Sequence, residues 1–214
     1  VADDILRGAF KQHEYGDVIL PFVVLRRLDC VLEDRKDTVI ETYNKFKDKI
    51  QDLTPVLLKA ANGLKFFNTS HYDLRRLAQD ANNIQLNFNN YLNGFSPNVR
   101  EIIDNFQIDK IVNKLVKNDY LFMLVVKFTE VDLHPDKVSN HEMGYIFEEL
   151  LRRFSEMSNE TAGEHYTPRE VIRLMVNLLF AEHKDELKSK GIIRTVFDPA
   201  CGTGGMLTIA KEHI

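Results

Sequence analysis

The residues best suited to chemistry lie near the end of the chain, in Thr195-Val196-Phe197-Asp198-Pro199-Ala200-Cys201-Gly202-Thr203-Gly204-Gly205-Met206. Val196 and Phe197 are the β-branched and aromatic types that suit a covered, pleated surface. Pro199 has no N–H to give to a sheet ladder, so a strand must end there. Gly202, Gly204 and Gly205 make positive φ accessible and leave no Cβ, which lets a ligand approach the backbone closely. Met206-Leu207-Thr208-Ile209-Ala210 then opens a helix with an apolar face. A buried strand, an acidic tip, a glycine turn and a helix together make half of a nucleotide-binding unit. The glycines do not follow G-x-G-x-x-G, and no G-x-x-x-x-G-K-[ST] occurs, so neither a dinucleotide nor a P-loop triphosphate is indicated. An acid at the strand tip repels phosphate. It suits a ligand with a cationic centre and ribose hydroxyls, of which S-adenosylmethionine is one. The same turn also serves as a plain strand-to-helix connection, and these residues alone leave both readings open.

A second candidate stretch is Gly163-Glu164-His165-Tyr166-Thr167-Pro168-Arg169-Glu170. Thr167 reads as a helix N-cap with Pro168 at N1 and Glu170 at N3, a capping box. The helix continues through Val171, Ile172, Met175, Leu178 and Leu179. In a doubly wound sheet the loop before it would lie over the carboxyl end of the glycine-bearing strand, where ligands bind. There Tyr166 would stack on an adenine or methionine group and Glu164 would meet a hydroxyl or amine. An ordinary capped helix entry explains the same residues.

The elements that must position these stretches are mostly helical. Residues 2–14 carry Ile5, Leu6, Ala9 and Phe10 on one face, and Gly16-Asp17 is expected to break that helix. A second helix runs through Leu20, Val23, Val24, Leu28, Val31 and Leu32, with Pro21 near its start; Arg26, Arg27 and Arg35 read as its solvated face. Residues 36–50 form an amphipathic helix and 53–67 a shorter one with a loop. Residues 71–91 are helical but rich in asparagine, which competes for backbone hydrogen bonds. Short helices follow at 98–106, 109–117 and 120–130, the pattern of a bundle without repeats. The clearest helix opens at Ser139, an N-cap with Glu142 at N3, and its apolar set Met143, Ile146, Phe147, Leu150, Leu151 and Phe154 follows the i, i+3, i+4, i+7 pattern. His141-Glu142 is not a zinc motif, because Tyr145 stands where the second histidine belongs. Glu148, Glu149, Arg152 and Arg153 read as a solvated face with i,i+4 pairs.

Composition narrows the partners. A formal net charge of -4 over 214 residues argues against a free-standing DNA binder, though not against a subunit whose partner carries the basic surface. Cys30 and Cys201 match no metal spacing and read as small buried hydrophobes in a reducing cytosol. The apolar runs Val18 to Leu25 and Leu121 to Val126 are far shorter than the ~20 residues a membrane span needs. No signal peptide is visible, so the sequons at Asn68 and Asn159 carry no meaning.

Taken together, the two late stretches resemble the modification (methyltransferase) subunit of type I restriction–modification systems. Upstream, Ala2-Asp3-Asp4-Ile5-Leu6-Arg7-Gly8 and Leu25-Arg26-Arg27-Leu28 are similar to that family's helical N-terminal domain, and Val138-Ser139-Asn140 with Met143 to Leu150 to its connecting helix. The resemblance implies a mainly α N-terminal helical bundle over 1–160, then the start of an α/β Rossmann-like methyltransferase domain over 161–214. It implies S-adenosylmethionine as cofactor, flanked on one side by Glu164, His165, Tyr166, Thr167, Pro168 and Arg169. Asp198, Ala200, Gly202, Thr203, Gly204 and Gly205 would form the turn beneath it. His165 stands where relatives often carry phenylalanine or another aromatic, which makes its side-chain contact less secure than that of Tyr166. The implied activity is N6-adenine methylation of duplex DNA in the cytoplasm, within a complex containing a specificity subunit, a second modification subunit and in some cases a nuclease subunit. The family's Asn-Pro-Pro-Phe/Tyr motif, which would hold the flipped adenine, does not occur in these residues. No residue here is therefore a candidate for the chemical step, and this stretch alone is expected to be inactive. Two other readings remain: a subunit-docking module, and a methyltransferase acting on protein or a small molecule.

Overall fold

A computed structural model of the chain describes residues 2–157, 167–183, 195–202 and 204–213. The chain divides into two compact units, Val1–Phe154 and Ser155–Ile214.

The first unit is helical. A π-helical turn (Ala2–Leu6) and a 3-10 turn (Gln12–Glu14) lead into α1 (Tyr15–Leu32). A further 3-10 turn joins α1 to α2 (Lys36–Phe46), followed by α3 (Thr54–Ala60), α4 (Leu74–Leu77) and α5 (Ile84–Asn93). Then come α6 (Pro97–Asn105), α7 (Ile108–Lys117), α8 (Leu121–Thr129) and α9 (Asn140–Met157). Helix α1 is the axis of the bundle. Val18, Phe22, Val23, Leu25, Cys30 and Leu32 are all buried on it, on more than one face, as expected of a helix surrounded by others. Phe22 packs its ring between those of Phe88 and Phe128, with centroids 5.6 and 5.5 Å away.

Several local expectations shift. Gly16-Asp17 does not break a helix: α1 starts at Tyr15 and runs through both residues. A Cβ at position 16 would stand 3.2 Å from Phe154 Cβ on α9, tighter than ordinary contact, so glycine there eases the approach of the two helices. Pro21 consequently lies inside α1, not near its start. The asparagine-rich stretch splits into α4 and α5 at Asp80, whose carboxylate takes hydrogen bonds from the Asn83 backbone and from the amides of Asn83 and Asn87. Side chains there satisfy what a continuous helix would have satisfied through its backbone.

Arg26 and Arg27 are not a solvated face. They are 2% and 9% exposed. Arg26 Nε donates to the Val131 carbonyl, and Arg27 donates to the carbonyls of Leu133 and Val138 and to Asn140 Oδ1. These guanidiniums clamp the non-helical link between α8 and α9. A charge count along α1 misses this, because the acceptors are backbone groups more than a hundred residues away. The start of α9 is as expected: the Glu142 carboxylate accepts from the Ser139 N–H and hydroxyl, and the Ser139 hydroxyl accepts from the Glu142 N–H. On its exposed face Glu149 pairs with Arg152 and Arg153, whose hydrogen bonds hold its carboxyl down at about 2.

The second unit contains α10 (Arg169–Phe180), a 3-10 turn (Ala181–His183), an extended segment at 195–198, the glycine turn and α11 (Gly205–His213). Ile172, Val176 and Phe180 on α10 pack against Ile209 and Ala210 on α11, with Val196 and Met206 at the margin. The two contacts that set the direction are Ile172 against Gly205 and Phe180 stacked on His213 at 5.6 Å. Each helix advances eight residues between them, so α10 and α11 lie side by side, parallel, with their starts together.

Three expectations fail here. The described residues contain no strand, and Phe197, expected on a covered surface, is 82% exposed. A strand exists only when a neighbour takes up its N–H and C=O groups, and no described residue offers 195–198 such a neighbour. Thr167 does not cap α10: Pro168 is the N-cap, and no side-chain capping bond forms. Pro168 holds φ at -54°, the value its ring dictates, and the helix begins one residue later than the capping box requires.

Candidate cofactor site

At the site the chain is extended through Val196, which packs inward, and turns at Asp198-Pro199-Ala200. The Asp198 carboxylate accepts the Ala200 N–H at 3.0 Å, an Asx turn that fixes the aspartate at the bend. Gly202 and Gly204 both take positive φ, 50° and 77°. Beyond its chain neighbours, neither has an atom of a described residue within 4 Å of where a Cβ would stand, so among the described residues the backbone there borders open space. The Gly204 N–H closes a turn onto the Cys201 carbonyl at 2.7 Å, and the Thr208 N–H makes a helical bond back to Gly204 at 3.0 Å. Gly205 has the opposite requirement. A Cβ there would stand 2.9 Å from Ile172 Cδ1, so its bareness lets the start of α11 touch α10.

The side-by-side geometry carries consequences for the sequence-based site. Arg169 opens α10 one turn before Ile172, and Ile172 meets Gly205, so the Thr167-Pro168-Arg169 segment approaches the end of the unit that bears the glycine turn. Thr167 and Pro168 are exposed, while Arg169 is 6% exposed. Asp198, Gly204 and Gly205 are half-buried, and Ala200 and Gly202 are exposed. Glu164, His165, Tyr166 and Thr203 lie outside the described residues. Cys201, expected to be buried, is exposed at the turn, whereas Cys30 is buried as expected. An α-helix start presents N–H groups without intrahelical acceptors, so α10 and α11 direct two such sets toward one end of this unit.

The fit of a nucleoside cofactor can be judged from these features alone. Open space over two positive-φ glycines, a half-buried carboxylate fixed at the bend and two helix starts at one end suit a ligand that carries hydroxyls, an amine and a carboxylate.

The helical unit holds a second polar cluster that the sequence did not reveal. Asp29 on α1 accepts from the Tyr91 hydroxyl at 2.9 Å and from the Leu74 N–H at 2.8 Å. Burial raises its carboxyl to about 7, against the lowering effect of those two bonds. Burial likewise pulls the Lys36 ammonium down to about 8, opposed by the charges of Asp29 and Asp73. The only available signal was an acid inside the apolar run Leu28-Asp29-Cys30-Val31-Leu32.

Comparison with known proteins bears on both units. The family model described as the HsdM N-terminal domain matches residues 1–128, more than half the chain. The chain belongs to that family. The N-6 DNA Methylase family model matches residues 138–214, the stretch that holds the α9 capping box, the parallel helices and the glycine turn. The Arg27 clamp therefore joins the HsdM N-terminal region to the first residues of the methylase match. A type I restriction enzyme methylase subunit (MjaIX) of Methanocaldococcus jannaschii is 27% identical over 99% of this chain and 38% of its own length. The EcoEI methylase subunit of Escherichia coli is 37% identical over 46% of this chain and 18% of its own length. A second Methanocaldococcus jannaschii subunit, MjaVII, is 37% identical over 42% of this chain and 14% of its own length. The chain spans well under half the length of these curated relatives. No solved structure matches it.

Proposed function

We propose that the chain is the N-terminal part of a DNA N6-adenine methyltransferase subunit of a type I restriction–modification complex. In the assembled enzyme a methyl group passes from S-adenosylmethionine to adenine in duplex DNA. The observation that carries this reading is the order of the two family matches, with a methylase-subunit relative aligned across 99% of the chain.

The cofactor would supply a methyl group on a cationic sulfonium. This chain's part is to hold it. Asp198 would attract its positive or hydroxyl-bearing groups, and Ala200, Gly202, Thr203, Gly204 and Gly205 would let it rest against bare backbone. Glu164, His165, Tyr166, Thr167, Pro168 and Arg169 would close the site from the start of α10. Support comes from α10 and α11 lying parallel with adjoining starts, the relation that successive helices have in a Rossmann-like fold. The step at adenine falls to residues beyond those described, and the chain by itself is expected to be inactive.

The partners implied are a specificity subunit, a second modification subunit, duplex DNA and in some complexes a nuclease subunit. The setting is the cytoplasm. With a net charge of -4, the chain needs another subunit to neutralise DNA phosphates. The test uses the subunit purified in complex with its specificity partner. Methyl-labelled S-adenosylmethionine and duplex DNA should yield N6-methyladenine on nucleoside digestion. Asp198→Ala should weaken cofactor binding by about tenfold or more, the loss of one charge-assisted contact. Label on cytosine or on protein, or cofactor affinity unchanged by Asp198→Ala, would overturn the assignment.

A further inference from the structure

A cavity of about 340 Å3 lies in the helical unit between α1, α2 and α4. Its lining is charged but almost fully compensated. Arg75 pairs with Glu33, and Arg76 pairs with Asp37 and Asp73. Arg26 spends its Nε on the Val131 carbonyl. Each Asp29 oxygen accepts a hydrogen bond, from Tyr91 and Leu74.

The exception is Lys36. It lines the cavity, is only 5% exposed, and its Nζ is buried with no hydrogen-bond partner among the described residues. An ammonium withdrawn from water with its donors unspent is among the costliest arrangements a fold can hold, unless something else supplies acceptors. The charges of Asp29 and Asp73 favour the ammonium, but their hydrogen bonds go to a phenol, a backbone amide and a guanidinium, and none reaches Nζ. What the site lacks is a compact group rich in oxygen acceptors and carrying negative charge. The half-exposed guanidiniums of Arg75 and Arg76 line the same cavity and favour the entry of such a group.

We infer that this cavity binds a tetrahedral oxyanion, with Arg75 and Arg76 flanking it and Lys36 as the anchoring donor once its flexible stem turns the buried Nζ toward the cavity. The site lies within the HsdM N-terminal region, belongs to the first compact unit and does not depend on the cofactor assignment. Two sources share the chemistry: a free inorganic oxyanion, and the phosphate of a small nucleotide.

Sulfate is the probe of choice because its charge is constant across neutral pH. Titration of the whole chain by calorimetry, at ionic strength held constant with chloride, should give saturable binding of one sulfate. Lys36→Met should weaken it by about tenfold or more, the loss of charge-assisted hydrogen bonds from a buried donor. Arg75→Gln changes an exposed side chain, so its fold is secure, and it frees the Glu33 carboxylate beside the cavity. It should weaken sulfate by about threefold. Adenosine monophosphate in a parallel titration separates the sources: binding tighter than sulfate assigns a nucleotide, and equal binding assigns the free ion. No saturable sulfate binding, equal binding by the wild type and Lys36→Met, or unchanged affinity in Arg75→Gln would each overturn the inference.

Discussion

Arg27→Met tests the clamp that fixes the link between α8 and α9. Methionine keeps much of the aliphatic stem and removes the donors. Arg27 donates to Leu133 O at 2.5 Å in a buried setting, and to Val138 O and Asn140 Oδ1 at 2.8 Å each where water has partial access. Stranding one buried acceptor costs about 1–3 kcal/mol, and each of the two wetter bonds contributes about 1 kcal/mol or less. The loss is about 3 kcal/mol after allowing for non-additivity among bonds that share one guanidinium. For a unit of this size that lowers Tm by about 6–12 °C. Urea unfolding followed by far-UV circular dichroism measures it, with an unchanged m-value marking an intact native fold. Limited proteolysis should begin within residues 131–139, the segment released. Arg27→Lys should recover less than half the loss, because a single ammonium cannot reproduce the planar fork. A destabilisation below about 1 kcal/mol, or no new cleavage in that link, would show that the link is held by its own packing and that the guanidinium contacts are incidental.

Asp29 predicts the pH response of the same unit. The fold holds its proton up to about 7, whereas the unfolded chain releases it near 3.8. The folded state binds more protons across that window, so the contribution of Asp29 to stability falls as pH rises from about 4 to about 7, by up to about 4 kcal/mol. Asp29→Asn should flatten that slope in urea titrations, and an unchanged slope would remove Asp29 as its source. Gly204 and Gly205 should separate by mechanism. Gly204→Ala costs about 1 kcal/mol through its positive φ alone and places a methyl group in the space assigned to the cofactor, so it should also lower cofactor affinity in calorimetry. Gly205→Ala meets only the end of the Ile172 side chain and should be milder, whereas Gly205→Val should disrupt the α10–α11 contact and lower Tm further. Leu174 and Leu178 are 59% and 67% exposed on α10, away from the cluster it shares with α11. Replacing both with lysine should raise the solubility of the chain without lowering its Tm, and a fall in Tm would show that this face is covered.

How much was legible in the sequence follows from the range of the interactions involved. The α9 capping box, the Glu149 pairs and the short helices after residue 97 were readable because their signals repeat within one or two turns. The split at Asp80 was half-readable: asparagine content announced competition for the backbone but not which carboxylate would collect the amides. The parts that were not readable depend on distant partners. Gly16 looks like a breaker until Phe154 arrives from α9. Arg26 and Arg27 look solvated until the 131–140 link folds over them, and Asp29 looks out of place until Tyr91 supplies a donor. In the site, the positive φ of Gly202 and Gly204 was inherent in the residue type. The partnering of 195–198 was not, because β structure is defined by a neighbour and not by its own residues. The distance from Tyr166 to Gly202, on which the sequence reading leaned most, lies outside the described residues.

What links the fold to the proposed chemistry is a matter of direction. Two antiparallel helices would need only a short turn and would place their starts at opposite ends, with no shared edge for a ligand. Here the Gly205–Ile172 and Phe180–His213 contacts require α10 and α11 to run the same way, so α11 begins at the end where α10 begins. Asp198 and the glycine turn, which lead directly into α11, therefore lie toward the end where Pro168 opens α10. A turn so placed gains bare backbone, an oriented carboxylate and two helix starts in one neighbourhood, and none of these alone would distinguish it from a structural connection. The role proposed for the glycine motif thus rests less on its spacing than on its place beside the beginning of the preceding helix.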